Sequence, residues 1–596
     1  MKRLLRRIFP RKQWDAPTRQ YALCLFLKFI LFDVIWCLQT TFTSFSIPEL
    51  YVNTALISLL LLLPYIVTRR DWVQLAVLFA VDVLLICNLM YSRTYNSVIP
   101  LSSYGLAGNL SDFLPSVIDS ARWIDMLFPL STIALLVHRL RRRRSPSKRP
   151  RVMMPYAVLT LVVAGISTVQ LALRGGLTKA FDHLQSANYY TCIVPMYTVF
   201  GHLCYDAIQT DKPFTPEMRR EIEHWMTEKP TYRPLPDSIS RRNNLVVVLC
   251  ESLESWVLEQ RIEGIEITPN LNRVLRERST LYAPHVLTQV KGGRSIDCQL
   301  LINAGMLPIN SGCYAMRYPD DTYPTLTKAL HAREKSRSYL LTVDKAVTWN
   351  QAIVARSFGI DTLLAKPCWR LDEKVGSRKK LGDVSFMKQA VEKMQRGEIW
   401  KGGEHVYLQL VTYSGHNPFI LPDALKRIKL RGNYPTKMRD FITMANYTDH
   451  ALGILLNYLK TRPDYQNTMI VITGDHEGLA ADREDIRRST IGHKMVSAHQ
   501  YTPFIVVNSP VGLRYDAVMG QVDMYPTLLN LLHLDDYAWK GIGQSILDPS
   551  KAPAAVGSNM NVEVTGENVS PQEIKRLKQA HTVSDLMIRY DWLKMR

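Results

Sequence analysis

The sequence predicts two parts in series: a bundle of transmembrane helices, then an α/β sandwich built on buried, mainly parallel strands. Two patterns carry that expectation. Apolar runs long enough to span a bilayer crowd the first 175 residues, whereas beyond them short β-branched runs alternate with helical stretches of ordinary globular composition. The third observation is where the charge falls. The 596-residue chain has a net charge of +20, much of it clustered beside apolar runs at Lys2, Arg3, Arg6, Arg7, Arg11 and Lys12 and again between residues 139 and 151. Such placement marks membrane topology and argues against nucleic acid as the partner.

Crossing a bilayer takes roughly 20 apolar residues, and the candidate spans are residues 21–43, 52–68, 72–91, 122–140 and 153–173. The first contains Lys28, expected to snorkel towards the basic N-terminus, and Asp33, expected to face other helices. No small-residue cleavage site follows it before the next span, so a cleaved signal peptide is not expected. The N-terminal cluster, Arg69 with Arg70, and the 139–151 cluster all fall on one side if the number of spans is odd. That side is the cytoplasm, and everything after the fifth span is then extracytoplasmic. The expected domains are therefore a five-helix transmembrane domain over 1–174, a connector over 175–240, and an extracytoplasmic α/β domain over 241–596. The connector holds Tyr189, Tyr190, Tyr197, Phe200 and Tyr205 and then a charged helical run from Pro216 to Lys229. Either it lies on the membrane surface with its aromatics at headgroup level, or it is a helical hairpin on the soluble domain.

Within the soluble part, continuous apolar runs at 244–250, 405–411, 468–473 and 503–507 read as buried strands, and 441–460 reads as a helix between them. Ser570-Pro571-Gln572-Glu573 forms a capping box with proline at the first helical position, opening a last helix of packing character. Of nine cysteines, Cys24, Cys37 and Cys87 fall in apolar runs, and the others lack zinc-like pairing. Cys298 and Cys313 are either a small-loop disulfide or two buried thiols.

Open α/β sheets gather ligands at the carboxyl ends of their strands. There the sequence places Glu251 after the first run, Ser414 and His416 after the second, and Asp475 with His476 after the third. Lys291-Gly292-Gly293-Arg294-Ser295-Ile296-Asp297-Cys298 adds a hydroxyl on a glycine-softened turn, with Arg294 as a cation able to neutralise charge on a phosphoryl group. Glu251, Ser295, Asp475 and His476 make an oxygen-rich set with one nitrogen, which suits a divalent metal: manganese (Mn²⁺), with Mg²⁺ or Zn²⁺ as alternatives. Such an ion stabilises a serine alkoxide and polarises phosphoryl oxygens. His493 or His499, ahead of the strand at Pro503, is either a substrate contact or a surface histidine.

Several motifs stand in a shared order: Glu251 in Cys-Glu-Ser, Thr268-Pro269-Asn270-Leu271, Gly293-Arg294-Ser295-Ile296-Asp297, Trp349-Asn350, Ser414-Gly415-His416-Asn417-Pro418-Phe419, Gly474-Asp475-His476, and Gln521-Val522-Asp523-Met524-Tyr525-Pro526-Thr527-Leu528. With five spans ahead of an external domain, the chain resembles the lipoteichoic acid synthase branch of the sulfatase and alkaline phosphatase superfamily over nearly its whole length. The resemblance implies that Glu251, Asp475 and His476 ligate the metal and that Ser295, where the family usually has threonine, is a nucleophile touching it. His416 is implied to contact substrate near the phosphate and to assist proton transfer. Asp344 and Trp349 match substrate-binding positions of phosphoglycerol transferases, but Thr342 stands where histidine is common and Gln351 where arginine is usual.

The activity the resemblance implies is transfer of an alcohol-phosphate headgroup, foremost glycerol phosphate from phosphatidylglycerol, through a covalent Ser295 intermediate. The acceptor would be an envelope glycan or glycolipid outside a bacterial cytoplasmic membrane. Phosphoethanolamine transfer, phosphodiester hydrolysis and a catalytically silent lipid-binding protein are the alternatives. Sulfate ester hydrolysis is disfavoured, because Ser295 is followed by Ile296, Asp297, Cys298 and Gln299 rather than by the proline and arginine that sulfatases need.

Overall fold

The computed structural model describes residues 14–39, 48–95, 99, 121–141, 153–173, 213–310, 312–566 and 569–595. Most of the expected external loop, the 142–152 end of the arginine cluster and the aromatic stretch 174–212 lie outside them. Two compact units divide at Lys212 and Pro213.

The first unit contains helices α1 (Ala16–Gln39), α2 (Pro48–Thr68), α3 (Asp71–Tyr95), α4 (Leu127–Arg141) and α5 (Met153–Leu173). Among the described residues, four stretches are long and apolar enough to cross a membrane: α2, α3, α4 with the turn before it, and α5. The first expected span, residues 21–43, falls on α1 as far as residue 39; α1 carries Arg19, Lys28 and Asp33 and is not among the four. Lys28 does not snorkel. It is buried and ion-paired with Asp82 of α3, and its ammonium also donates to Phe128 O and Ser131 Oγ of α4, both at 2.6 Å. A buried charge is tolerated when it is paired and its remaining donors are satisfied. Asp125 is held similarly by the Arg93 guanidinium through two bonds of 2.6 and 2.7 Å.

In the second unit the helices used below are α6 (Pro216–Glu228), α7 (Ser295–Ala304), α8 (Thr436–Thr461) and α9 (Pro571–Arg589). Thr215 caps α6 and Pro216 opens it; Ile222 and Trp225 are buried, and Trp225 Nε1 donates to Arg576 O of α9 at 3.0 Å. Residues 213–228, read from sequence as part of the connector, thus pack within this unit. The cap expected at Ser570 is present, its hydroxyl accepting from Glu573 N at 3.1 Å.

The strands of the main sheet are β1 (Asn244–Cys250), β2 (Leu281–Leu287), β3 (Arg337–Thr342), β4 (Thr362–Leu364), β5 (Val406–Val411), β6 (Thr468–Gly474), β7 (Tyr501–Val507), β8 (Leu513–Arg514) and β9 (Met519–Gly520). Their order is β8-β2-β7-β6-β1-β5-β3-β4, with β9 also paired to β2. Only β7 runs against its neighbours. Successive residues of β1 feed opposite cores, Leu245, Val247 and Leu249 on one face and Val246, Val248 and Cys250 on the other. That is why the run is apolar throughout rather than alternating. The topology has one consequence for chemistry: the carboxyl ends of β1, β2, β3, β5 and β6 all open on the same edge.

Candidate active site

Cys250 pairs with Gly474 at the matched ends of β1 and β6, so the next residues, Glu251 and Asp475, emerge together. Their carboxylates and the His476 imidazole bring one ligand atom each within 4.8 Å of one another, all buried. His476 Nε2 lies 3.2 Å from Glu251 Oε1 and 3.7 Å from Asp475 Oδ2. Ligands bound at about 2 Å in tetrahedral geometry stand about 3.3 Å apart, so the spacing fits one small cation.

The hydrogen bonds leave the correct lone pairs open. Asp475 Oδ1 accepts from the amides of Ser252 and His476, both at 2.8 Å, while buried Oδ2 has no hydrogen-bond partner among the described residues. The Glu477 carbonyl, 3.0 Å from His476 Nδ1, can only accept. A proton on Nδ1 therefore satisfies it and turns the Nε2 lone pair towards the carboxylates. Burial and the Arg294 charge oppose protonation of His476, yet Asp475 and Glu251 outweigh them and hold its pKa up to about 9. Burial likewise pushes Asp475 up, while Glu251 is drawn below the usual carboxylate range because His476 beside it outweighs its own burial. Two buried carboxylates thus attract a positive charge to this spot, and a divalent cation would meet that demand better than a proton.

Ser295 is the first residue of α7, reached from the end of β2 through a tight turn. Its hydroxyl is 3.4 Å from Glu251 Oε2. The turn is closed by Asp297, whose Oδ2 accepts from Lys291 N at 2.8 Å and Gly293 N at 3.0 Å. Gly293 has no alternative there, because a Cβ would come within 2.2 Å of Asp297 Oδ1.

Arg294 takes a place different from the one its sequence position suggests. With φ at +52° it turns inward, donating to Glu477 Oε1 at 2.5 Å and Glu477 O at 3.1 Å, with Nη2 3.0 Å from His476 Nδ1. Arg294 and His476 thus share the Glu477 carbonyl, so the guanidinium positions the histidine through Glu477 rather than by a bond to its protonated Nδ1. Glu477, beside which Arg294 offsets the burial, is held below its usual range and is a residue the sequence reading passed over. Gln521, which the sequence places in a motif without a role, donates from Nε2 to Asp475 O at 2.8 Å and so fixes the backbone of a candidate ligand.

His416, beyond β5, is half-buried, and its Nδ1–H donates to Asn417 O at 2.8 Å, which puts the lone pair of the neutral ring on Nε2. Burial lowers its pKa below 6.5 against the pull of Glu251, so the ring is a neutral base near pH 7. Ser414 is structural, its hydroxyl accepting from Asp383 N at 2.9 Å. Asp344, two residues past β3, is ion-paired with Lys380. Trp349 is half-buried against the core at φ +53°. Gln351 is buried and exchanges amide bonds of 2.9 and 3.2 Å with Gln299, so the position at which the resemblance implies an arginine is instead tied to α7. His493 is exposed and His499 lies 2.7 Å from Glu563; neither is placed among the site residues. Cys298 and Cys313 are free and buried.

The chain matches the sulfatase family over residues 243–534 and the lipoteichoic acid synthase N-terminal domain over residues 2–215. It is 22% identical over 552 residues to a lipoteichoic acid synthase of Staphylococcus aureus (strain USA300), covering 87% of this chain and 83% of that protein. The solved structure of the lipoteichoic acid synthase LtaP from Listeria monocytogenes aligns at 17% identity and a TM-score of 0.48, covering 63% of this chain and 97% of that one. The Streptococcus pyogenes phosphoglycerol transferase GacH, in complex with sn-glycerol-1-phosphate, aligns at 12% identity and a TM-score of 0.41, covering 62% and 90%.

Proposed function

The chain is a lipoteichoic acid synthase-like member of the sulfatase superfamily and a phosphotransferase, and from that premise we propose that it moves glycerol phosphate from phosphatidylglycerol to a hydroxyl of an envelope glycan or glycolipid. The observation that carries the reading is the Ser295 hydroxyl, at the start of α7, beside Glu251 of a buried Glu251–Asp475–His476 cluster. Those four residues would hold a divalent ion, which supplies the positive charge that acidifies the serine hydroxyl and polarises the phosphoryl oxygens.

In the first half-reaction Ser295 Oγ bonds to phosphorus and the bond from phosphorus to the diacylglycerol oxygen breaks. The serine proton ends on that oxygen, releasing diacylglycerol and leaving a glycerol-phosphoserine diester. In the second, an acceptor hydroxyl bonds to phosphorus, the bond to Oγ breaks, and the acceptor's proton returns to Ser295. His416, a neutral imidazole beyond β5 whose Nδ1–H is held by Asn417 O, is the group we assign to carry these protons. Five spans in a bacterial cytoplasmic membrane, with the second unit outside, would confine the catalyst to the layer where its lipid donor lies.

Intact-mass analysis of the full chain in proteoliposomes with Mn²⁺ tests this. A glycerol-phosphate adduct from phosphatidylglycerol, absent in Ser295→Ala, is the expected result. An adduct only from phosphatidylethanolamine would transfer the assignment to phosphoethanolamine, and no adduct from either lipid would remove the transferase reading.

A further inference from the structure

We propose that Lys380, through its ion pair with Asp344, makes this site select an uncharged polyol-phosphate headgroup over a cationic one. The inference rests on the transfer reading above and names which headgroup that same site accepts.

Lys380 belongs to a hairpin in which Lys374–Val375 pairs with Lys380–Leu381. Nothing in its sequence marks it as part of the site. Gly376 in its turn donates to Ile420 O at 2.9 Å and has φ +72°; a Cβ there would come 2.9 Å from Tyr413 Oη, so the hairpin lies flat on that ring. From it the Lys380 ammonium reaches over Tyr413, 4.4 Å from the ring centroid, and Tyr413 in turn packs against His416 with centroids 5.5 Å apart. The same ammonium is ion-paired with Asp344, whose side chain is 33% exposed against 18% for Lys380. The pair is therefore reached by solvent and is linked to His416 through the Tyr413 ring. Electrostatics places the hairpin's charges beside the same groups: Arg378 and, less strongly, Lys380 lower the His416 pKa, and Arg378, Glu251 and Asp344 all act on the Tyr413 hydroxyl.

A bare carboxylate beside the phosphate would welcome an ammonium headgroup as its counter-ion. Here that carboxylate already has one, tethered to the protein. An ethanolamine ammonium would have to displace Lys380 and would meet its repulsion, a like-charge contact that disfavours the wrong ligand. A glycerol headgroup meets no such penalty: its hydroxyls can donate to Asp344 while Lys380 faces the phosphate oxygens.

The test uses the full chain in proteoliposomes holding equal amounts of phosphatidylglycerol and phosphatidylethanolamine with different acyl chains. The two released diacylglycerols then differ in mass, and their ratio does not depend on the folded fraction. Wild type is expected to consume phosphatidylglycerol. Lys380→Met is expected to raise the ethanolamine-to-glycerol ratio by about tenfold, and Lys380→Arg, which keeps the charge, to leave it near wild type. An unchanged ratio in Lys380→Met, a wild type that prefers phosphatidylethanolamine, or loss of both activities in Lys380→Met, whether or not Lys380→Arg is active, would overturn the selective role. A wild type that consumes neither lipid would remove the transferase reading itself.

Discussion

Glu251 and Asp475 stand side by side because each follows the last residue of a matched pair, Cys250 against Gly474, on adjacent parallel strands. The sheet therefore sets their separation, and backbone amides aim one Asp475 oxygen away, leaving the other for a ligand. Asp475→Asn keeps the shape and removes the anion. Mn²⁺ affinity, measured by calorimetry on the full chain, should fall by more than about a hundredfold, and headgroup transfer should fall with it. Unaltered affinity would mean that the ion sits elsewhere.

Arg294→Lys separates a brace from a phosphate clamp. Lysine keeps the charge but not the planar fork that holds both the carboxylate and the carbonyl of Glu477, the carbonyl on which His476 rests. The expected result is a metal affinity about 10- to 100-fold weaker, with KM for lipid little changed once metal saturates. A raised KM at unaltered metal affinity would instead place the guanidinium on the substrate.

Gly293→Ala should damage both the turn and the nucleophile. The added methyl would lie 2.2 Å from Asp297 Oδ1 and 2.9 Å from Cys313 Sγ, so the carboxylate that closes residues 291–297 must move. A loss of about 2 to 3 kcal/mol in thermal unfolding is expected, together with loss of the Ser295 adduct. Gly402→Ala, where a methyl would meet nothing within 4 Å, serves as the neutral control.

Much of the site was legible because its residues follow apolar runs that could only be buried strands, and parallel strands deliver their ends to one edge. What was not legible depends on direction and on distant partners. Arg294 points away from the expected phosphate because its φ is positive and Glu477 lies 183 residues further on. Gln351 looked like a missing cation until its pairing with Gln299 was seen. The Lys380 hairpin is too short for any periodicity, and Lys28 was expected to snorkel because Asp82, 54 residues away, gave no local sign of its role.

That buried pair in the first unit makes its own prediction. Lys28 and Asp82 are each no more than 3% exposed, and Ser131 and Thr132 of α4 complete their hydrogen bonds. Removing one charge strands the other, which typically costs about 3 to 5 kcal/mol, whereas removing both often costs little. Asp82→Leu should therefore lower the unfolding temperature of the detergent-solubilised chain sharply, and adding Lys28→Met should restore most of it. Additive losses in the double variant would show that the pair is not coupled.

Stability against acid should be limited in part by His581. It is fully buried on α9, its Nε2 is 3.3 Å from Val556 O, and burial, aided by the Lys291 charge, lowers its pKa from 6.5 to about 3. As pH falls below 6.5 the unfolded chain takes up this proton while the folded chain does not, so unfolding becomes easier until the folded pKa is reached. The slope from one such group approaches about 1.4 kcal/mol per pH unit. Asp297 works in the opposite sense over part of that window: burial raises its pKa from 3.8 to about 6, so below that value the folded state binds the proton first. The two effects partly cancel in the wild type, and a flat profile there would say nothing about either. The informative quantity is the difference in unfolding temperature between wild type and His581→Gln at pH 7.5 and at pH 5. The glutamine variant, with nothing to protonate, should gain on the wild type as the pH is lowered, and an equal acid slope in both would show that His581 is not the group responsible.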